Sequence, residues 1–254
     1  MSRKSRINIA ICFLINTLFF FSLSTANDEP PAAEEILFRA DQVRNPQLDY
    51  TTWVKVTSFK ANSEPMVATY DVMVKGRDKT VVKTLSPPVD KGRILLMLGR
   101  DLWAFLPEVS KPLRISLQER LIGEVANGDI ARTNFSGDYV SELIRSEQIE
   151  GKYYYVLNLA AKTEGVTYSK VTLWVQKDNF YPLKAEFFAV SGRLLKVCSY
   201  ENYRELAGRL RPSRLVMNDP IVKDKRSIIE YDSMAVKELP DKYFTKDYMK
   251  KFMD

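Results

Sequence analysis

Catalysis by the commonest routes needs an imidazole, and none of the 254 residues is a histidine. Ser-His-Asp and Cys-His nucleophile pairs are thereby excluded, together with the usual histidine-based zinc and iron sites. The two cysteines are Cys12 and Cys198. Cys198 lies between Val197 and Tyr200 in a strand-like run, which reads as a small buried core residue; no base exists to activate it. No phosphate-cradling glycine loop, dinucleotide fingerprint or calcium loop occurs either. Carboxylate pairs and Ser-Lys chemistry remain open, but the acidic residues are scattered over turns and exposed strand faces. Catalysis is therefore the weakest of the functional classes, and no metal or cofactor is expected.

The aromatics offer a different kind of chemistry. Trp53, Phe59, Tyr70, Trp103, Phe105, Tyr154, Trp174, Phe187 and Phe188 all fall in strand-like runs. Sheet core explains any one of them, because strands are rich in aromatics. Together they suit a sheet too curved for its side chains to fill, with helices covering an apolar pocket. The candidate ligand-binding set is Trp53, Phe59, Tyr70, Trp103, Phe105, Trp174 and Phe187 from the strands, with Leu117, Leu121 and Ile122 as lid residues. A basic stretch, Arg209, Arg211, Arg214, Lys223, Lys225 and Arg226 against Asp219 and Asp224, reads first as a solvated strand face and second as a dock for anionic headgroups.

Hydrophobic periodicity indicates what positions these residues. Ala33, Ile36, Leu37, Ala40 and Val43 recur at helical spacing, with Glu34, Glu35, Arg39 and Arg44 on the other face, until Asn45-Pro46 stops the helix. The period then changes to two. Strands are expected at Tyr50 to Ala61, Met66 to Lys75, Thr80 to Leu85, Arg93 to Leu98 and Leu102 to Leu106. They resume at Val140 to Gln148, Tyr153 to Ala161, Lys170 to Lys177, Leu183 to Val190, Leu194 to Tyr203, Arg209 to Val216 and Ser227 to Val236. The short turns between them suit an antiparallel meander. Between the two groups, Ser116 to Val125 reads as a short amphipathic helix. The Gly- and Asn-containing stretch from Gly123 to Gly137 reads as an irregular segment that could serve as a hinge. The tail from Leu239 to Met253 ends in a short helix-like piece.

The N-terminus carries the marks of an export signal. Arg3, Lys4 and Arg6 precede an apolar run from Ile7 to Leu23, and Ser24-Thr25-Ala26 supplies small residues for cleavage before Asn27. Residues 1–26 are expected to be removed, leaving residues 27–254 as a single domain with one thiol. An uncleaved anchor is the alternative, since the run is nearly long enough to span a bilayer. Without the leader the chain holds 35 Lys and Arg against 32 Asp and Glu, too even a balance to imply a nucleic-acid partner.

Three segments carry a family resemblance. Ile36-Leu37-Phe38-Arg39-Ala40-Asp41-Gln42-Val43-Arg44-Asn45-Pro46 resembles the opening helix of the LolA-like outer-membrane lipoprotein-sorting family. Arg114-Ile115-Ser116 through Leu121-Ile122-Gly123 to Asn127-Gly128-Asp129-Ile130 resembles its mid-segment, and Leu239-Pro240-Asp241-Lys242-Tyr243-Phe244 its C-terminal strand end. The resemblance runs from about Ala33 to Phe252. It implies a mainly β fold, a half-open antiparallel β-barrel of about eleven strands with an N-terminal helix and a short helical lid over an apolar cavity. It further implies a periplasmic carrier of lipid or lipoprotein acyl chains, with an inner-membrane RND-type transporter or an outer-membrane acceptor as partner. The rival expectation is a non-catalytic partner or sensor module for such a transporter or for a signalling protein.

Overall fold

From Tyr50 to Phe59 every second residue is buried, the signature of a strand with one face on a core and one toward solvent. In the computed structural model, which describes residues 29–132 and 134–253, this run is strand β1 of a large antiparallel sheet. The leader expected at residues 1–26 lies outside the described residues. Among those described, no helix is long and apolar enough to cross a membrane.

Helix α1 (Ala33–Arg44) comes first, with Glu34 and Glu35 in its first turn and Arg44 in its last, as the helix dipole favours. Then follow β1 (Tyr50–Phe59), β2 (Met66–Lys75), β3 (Lys79–Ser86), β4 (Ile94–Leu98), β5 (Asp101–Phe105) and β6 (Leu113–Ile115). A small ribbon, β7 (Arg120–Ile122) and β8 (Val125–Ala126), leads into α2 (Asn127–Ala131) and α3 (Phe135–Asp138). The second half comprises β9 (Tyr139–Ile149), β10 (Lys152–Ala161), β11 (Lys170–Gln176), β12 (Pro182–Phe188), β13 (Leu194–Leu206), β14 (Arg209–Asn218) and β15 (Arg226–Val236). Helix α4 (Lys246–Met253) ends the described chain.

Two corrections to the sequence reading stand out. The main sheet has thirteen strands rather than about eleven, in the order β6-β5-β4-β3-β2-β1-β15-β14-β13-β12-β11-β10-β9. The expected helix from Ser116 to Val125 is instead a turn followed by the β7–β8 ribbon. Ser116 and Glu119 build the turn: the Ser116 N–H donates to Glu119 Oε1 at 3.0 Å, and Gln118 N–H donates to Ser116 Oγ at 3.0 Å. Gly123, at φ +53°, then reverses the chain where a Cβ would strike Ser58 and Ser227. A side chain–backbone turn has outcompeted a helical spacing of only three apolar residues.

The topology makes residues 116–138 a crossover. The chain meanders outward from β1 to one sheet edge at β6, crosses to the opposite edge at β9, and meanders back until β15 pairs with β1. The sheet is open, and this crossover joins its two edges.

Three apolar clusters follow from that layout. The main core lies on the inner face: Val54, Val56, Tyr70, Leu95, Leu157, Leu173, Met217 and Ile229 pack beneath Ile36, Leu37 and Ala40 of α1 and Leu117, Val125, Ile130 and Phe135 of the crossover. A second cluster covers the outer face of β3–β5, where Val81, Ile94, Leu96 and Phe105 meet Leu239, Phe244 and Met249 of the C-terminal segment. Double coverage explains why Ile94 to Met97 are consecutively buried, as expected of a strand covered on both faces. The third, Tyr154, Val156 and Trp174, lies outside β10 and β11.

Candidate functional site

Between the crossover and the inner face of the second half-sheet, six polar side chains are drawn inside by their places on α1, the crossover and β13. Arg44, near the end of α1, is buried, although the helical wheel put it on the solvent face. Its Nη1 lies 2.8 Å from Asp41 Oδ1, one turn earlier, an i, i+3 spacing that brings side chains together on one helix face. The guanidinium lies over the ring of Phe135, 3.8 Å from its centroid, and 5.7 Å from that of Tyr200. The second oxygen of Asp41 accepts from the Ser136 N–H of α3 at 2.6 Å. Asp41 therefore links α1 to the crossover. Burial raises its carboxyl pKa, against the lowering effects of Arg44 and the Ser136 hydrogen bond.

Two further fastenings hold the crossover. Arg132 grips Asp138 with two nitrogens and donates a third bond to the Gly99 carbonyl in the β4–β5 turn. Lys196, which projects inward from β13, lies 2.9 Å from Asp129 of α2 and also donates to the Glu124 carbonyl. Asp129 in addition accepts from Tyr168 Oη at 2.7 Å and from the Ala126 N–H at 2.7 Å. The side chains of all three ion pairs, Asp41–Arg44, Arg132–Asp138 and Asp129–Lys196, are less than a tenth exposed.

The space they enclose is small, about 40 Å³, bounded by Arg44, Asp129, Phe135, Tyr168, Phe187 and Cys198 among others. A few water molecules fit in that volume; an acyl chain does not. With the crossover in this position, little free volume is left in the space beneath it. Cys198 is fully buried at its wall, and burial pushes its thiol up to about 12.

The ten candidate residues divide by face. Tyr70, Leu117 and Phe187 are in the main core, with Leu121 and Ile122 packed against it. Of these, Phe187 borders the enclosed space, its ring 4.4 Å from Tyr168 and 6.3 Å from Phe135. The other five lie on the outer face, because neighbours in a strand point oppositely and their neighbours Val54, Ser58, Leu102, Ala104, Leu173 and Val175 point inward or are buried. Trp53 stands in a polar outer groove with Lys55, Arg204 and Glu230. The Arg226 guanidinium lies over Phe59 at 5.2 Å. Trp103 and Phe105 are under the C-terminal segment, with Lys246 Nζ 3.1 Å from the Trp103 ring centroid. Trp174 is in the third cluster and donates to Glu147.

The basic stretch is dispersed by the fold. Arg211 is buried and donates to the Gln42 and Val43 carbonyls at 2.6 and 3.1 Å, capping α1; a cation there also complements the helix dipole. Arg214 pairs with Glu201, and Lys225 with Asp219 and Glu124. Sequence reasoning missed Asp41, Asp129, Arg132 and Lys196, since a lone charge on an alternating strand or short helix looks like a solvated one. Asp41 and Arg44 alone carried a signal, their opposite charges three residues apart. Among the described residues no group of three or more Cys, Asp or Glu could hold a metal ion.

Comparison with known proteins adds the following. A family model described only as an uncharacterized protein matches residues 76–251. A LolA superfamily protein from Nitrosomonas europaea is 46% identical, with 85% of this chain and 98% of that one covered and a TM-score of 0.82. An outer membrane lipoprotein-sorting protein domain from Vibrio parahaemolyticus shares the fold at 21% identity, covering 86% of this chain and 98% of that one with a TM-score of 0.73. A DUF1329 family protein from Desulfovibrio piger does so at 22% identity, covering 87% and 100%, with a TM-score of 0.74. No curated protein matches the chain.

Proposed function

Because this chain belongs to the LolA superfamily, we propose that it is a periplasmic carrier that takes up the acyl chain of a lipid or lipoprotein between the inner sheet face and the crossover. The observation that carries this reading is the way the crossover is closed. One buried ion pair, Asp129–Lys196, fastens the crossover to the sheet, and the Ser136–Asp41 and Arg132–Gly99 hydrogen bonds complete the closure; a buried ion pair gains little net stability, because desolvation offsets the attraction. When the crossover lifts, Asp129 and Lys196 both regain water, so opening is inexpensive although closure is specific. Beneath it lie Phe187, Leu215 and Met217, an apolar floor that Phe135 of the crossover faces. Each buried methylene contributes about 0.8 kcal/mol. Ten of them would give about 8 kcal/mol, near micromolar affinity before the cost of opening. That is strong enough to carry a chain and weak enough to release it. The leader at residues 1–26 would deliver the protein to the periplasm, and an inner-membrane donor of the RND type and an outer-membrane acceptor fit the role. No catalytic step is required.

The small closed cavity favours a second reading, a partner or sensor module whose interior stays filled. A crossover lock separates the two. A Cβ built on Gly128 would sit 2.9 Å from the Thr167 Cβ, so the pair Gly128→Cys and Thr167→Cys can be bridged once the backbone eases apart by about 1 Å. The carrier reading expects the reduced protein to take up a fluorescent fatty acid and the oxidised protein to exclude it. Equal uptake in both states, or no uptake by the parent protein together with no lipid in its native mass spectrum, would reject it.

A further inference from the structure

Strand β9 is a sheet edge eleven residues long. Edges of that length are usually blunted with charged side chains, above all lysine, with proline or with bulges; β9 has neither lysine nor proline, and its charges are Glu142, Arg145 and Glu147. Its one irregularity is a bulge where Val156 and Leu157 face Arg145 and Leu143. The stretch from Tyr139 to Leu143 is therefore regularly paired to β10 on one side, with its other side forming the rim of the sheet.

A groove of about 260 Å³ runs beside that stretch, walled by Leu37 and Phe38 of α1 and by Tyr139, Val140 and Ser141 of β9. Phe38 and Val140 are among the exposed large apolar residues of the molecule, at 40% and 55%. Arg77, Lys162 and Glu34 supply its charges, a net excess of one cation. Among the described residues neither Arg77 nor Lys162 has a carboxylate within 4.0 Å. Arg77 donates to Ser136 Oγ at 2.6 Å, and Lys162 to the Ser136 and Gly137 carbonyls at 3.1 and 3.3 Å. The Ser141 hydroxyl borders the same groove, is about nine-tenths buried, and has no hydrogen-bond partner. A buried hydroxyl left so is costly.

The geometry points to a partner-binding site in which an extended, acidic polypeptide segment adds as a strand to the Tyr139–Leu143 edge and places a carboxylate at Arg77 and Lys162. An added strand satisfies the edge backbone, its side chains alternate into the groove, and charge complementarity sets its position. A lipid headgroup would also answer the cations, but it would leave the rim of β9 unused. The groove shares Tyr139 with the wall of the enclosed space, so the test below reads strand addition at the β9 rim and not lipid uptake.

The test uses the full-length mature protein and two fluorescein-labelled octapeptides, one alternating valine with aspartate and one alternating valine with lysine. Amide hydrogen exchange with the aspartate peptide is expected to slow across residues 139–143. The variant R77Q/K162Q should weaken its anisotropy-measured binding at least tenfold in low salt. V140E, which leaves both cations in place but sets a like charge beside the incoming carboxylates, should weaken it too. Equal binding of the lysine peptide, or full binding by both variants, would overturn the inference. So would edge protection produced by phosphatidylglycerol vesicles instead of the peptide, or protection that rises with protein concentration alone, which would make a second copy the occupant. A thermal melt of each variant confirms that it is folded; should R77Q/K162Q fail to fold, V140E and the peptide pair decide.

Discussion

Arg44 shows how far one side chain can depart from its place on a helical wheel. Its neighbours on the polar face, Glu35 and Arg39, form an exposed pair of the ordinary kind, worth a fraction of a kcal/mol. Arg44 instead turns inward and lies between Asp41 and two aromatic rings. Replacing it with leucine would leave the Asp41 carboxylate buried without its cation. Urea melts at pH 8 are expected to show a loss of about 3 kcal/mol. The deficit should shrink as the pH is lowered. Burial already raises the Asp41 carboxyl, and removal of Arg44 raises it further. The folded variant therefore binds a proton more readily than the unfolded chain and gains relative stability in acid. A deficit independent of pH would mean that Arg44 acts through packing alone.

At the scale of elements, what could be read from the sequence divides along physical lines. The strands were legible because alternation over eight to ten residues is a strong signal, and β1, β2 and β10 match their expected spans to within two residues. Helix α1 matched because its caps and period agree. The crossover did not. Its pieces are two to five residues long, too short to show a period, and side chain–backbone bonds fix their shape. The division of the ten aromatic and apolar candidates between faces was also hidden, since sequence gives the alternation of a strand but not which phase points inward when both faces are covered. Gly128 is the residue most informative about the crossover: any Cβ there would meet Thr167 Oγ1 at 1.9 Å. Gly128→Val is expected to wedge α2 away from the sheet. Alkylation of Cys198, which lines the space beneath, is expected to accelerate at least tenfold, read by peptide mass mapping. An unchanged rate would show that the crossover does not gate that space.

For the whole molecule, the two halves of the sheet are unequally clothed. The half from β3 to β5 is covered inside by the main core and outside by the segment from Leu239 onward, whereas among the described residues the outer face of the other half carries the small cluster around Trp174. Leu239, Phe244 and Met249 are almost fully buried and contribute roughly 2 kcal/mol each. A truncation ending at Glu238 is expected to lose about 5 kcal/mol and to bind a hydrophobic dye at Val81, Ile94, Leu96 and Phe105. A melting temperature equal to that of the full chain would show the segment to be dispensable.

That cover has a bearing on how the chain comes into being. A polypeptide emerges N-terminus first, so β3, β4 and β5 appear more than 130 residues before the segment that clothes their outer face. For about half of the chain's synthesis the oily side of these strands has no lasting partner. The nascent protein must therefore be shielded from its neighbours until the segment from Leu239 to Met253 arrives, because among the described residues no earlier part of the chain covers that face.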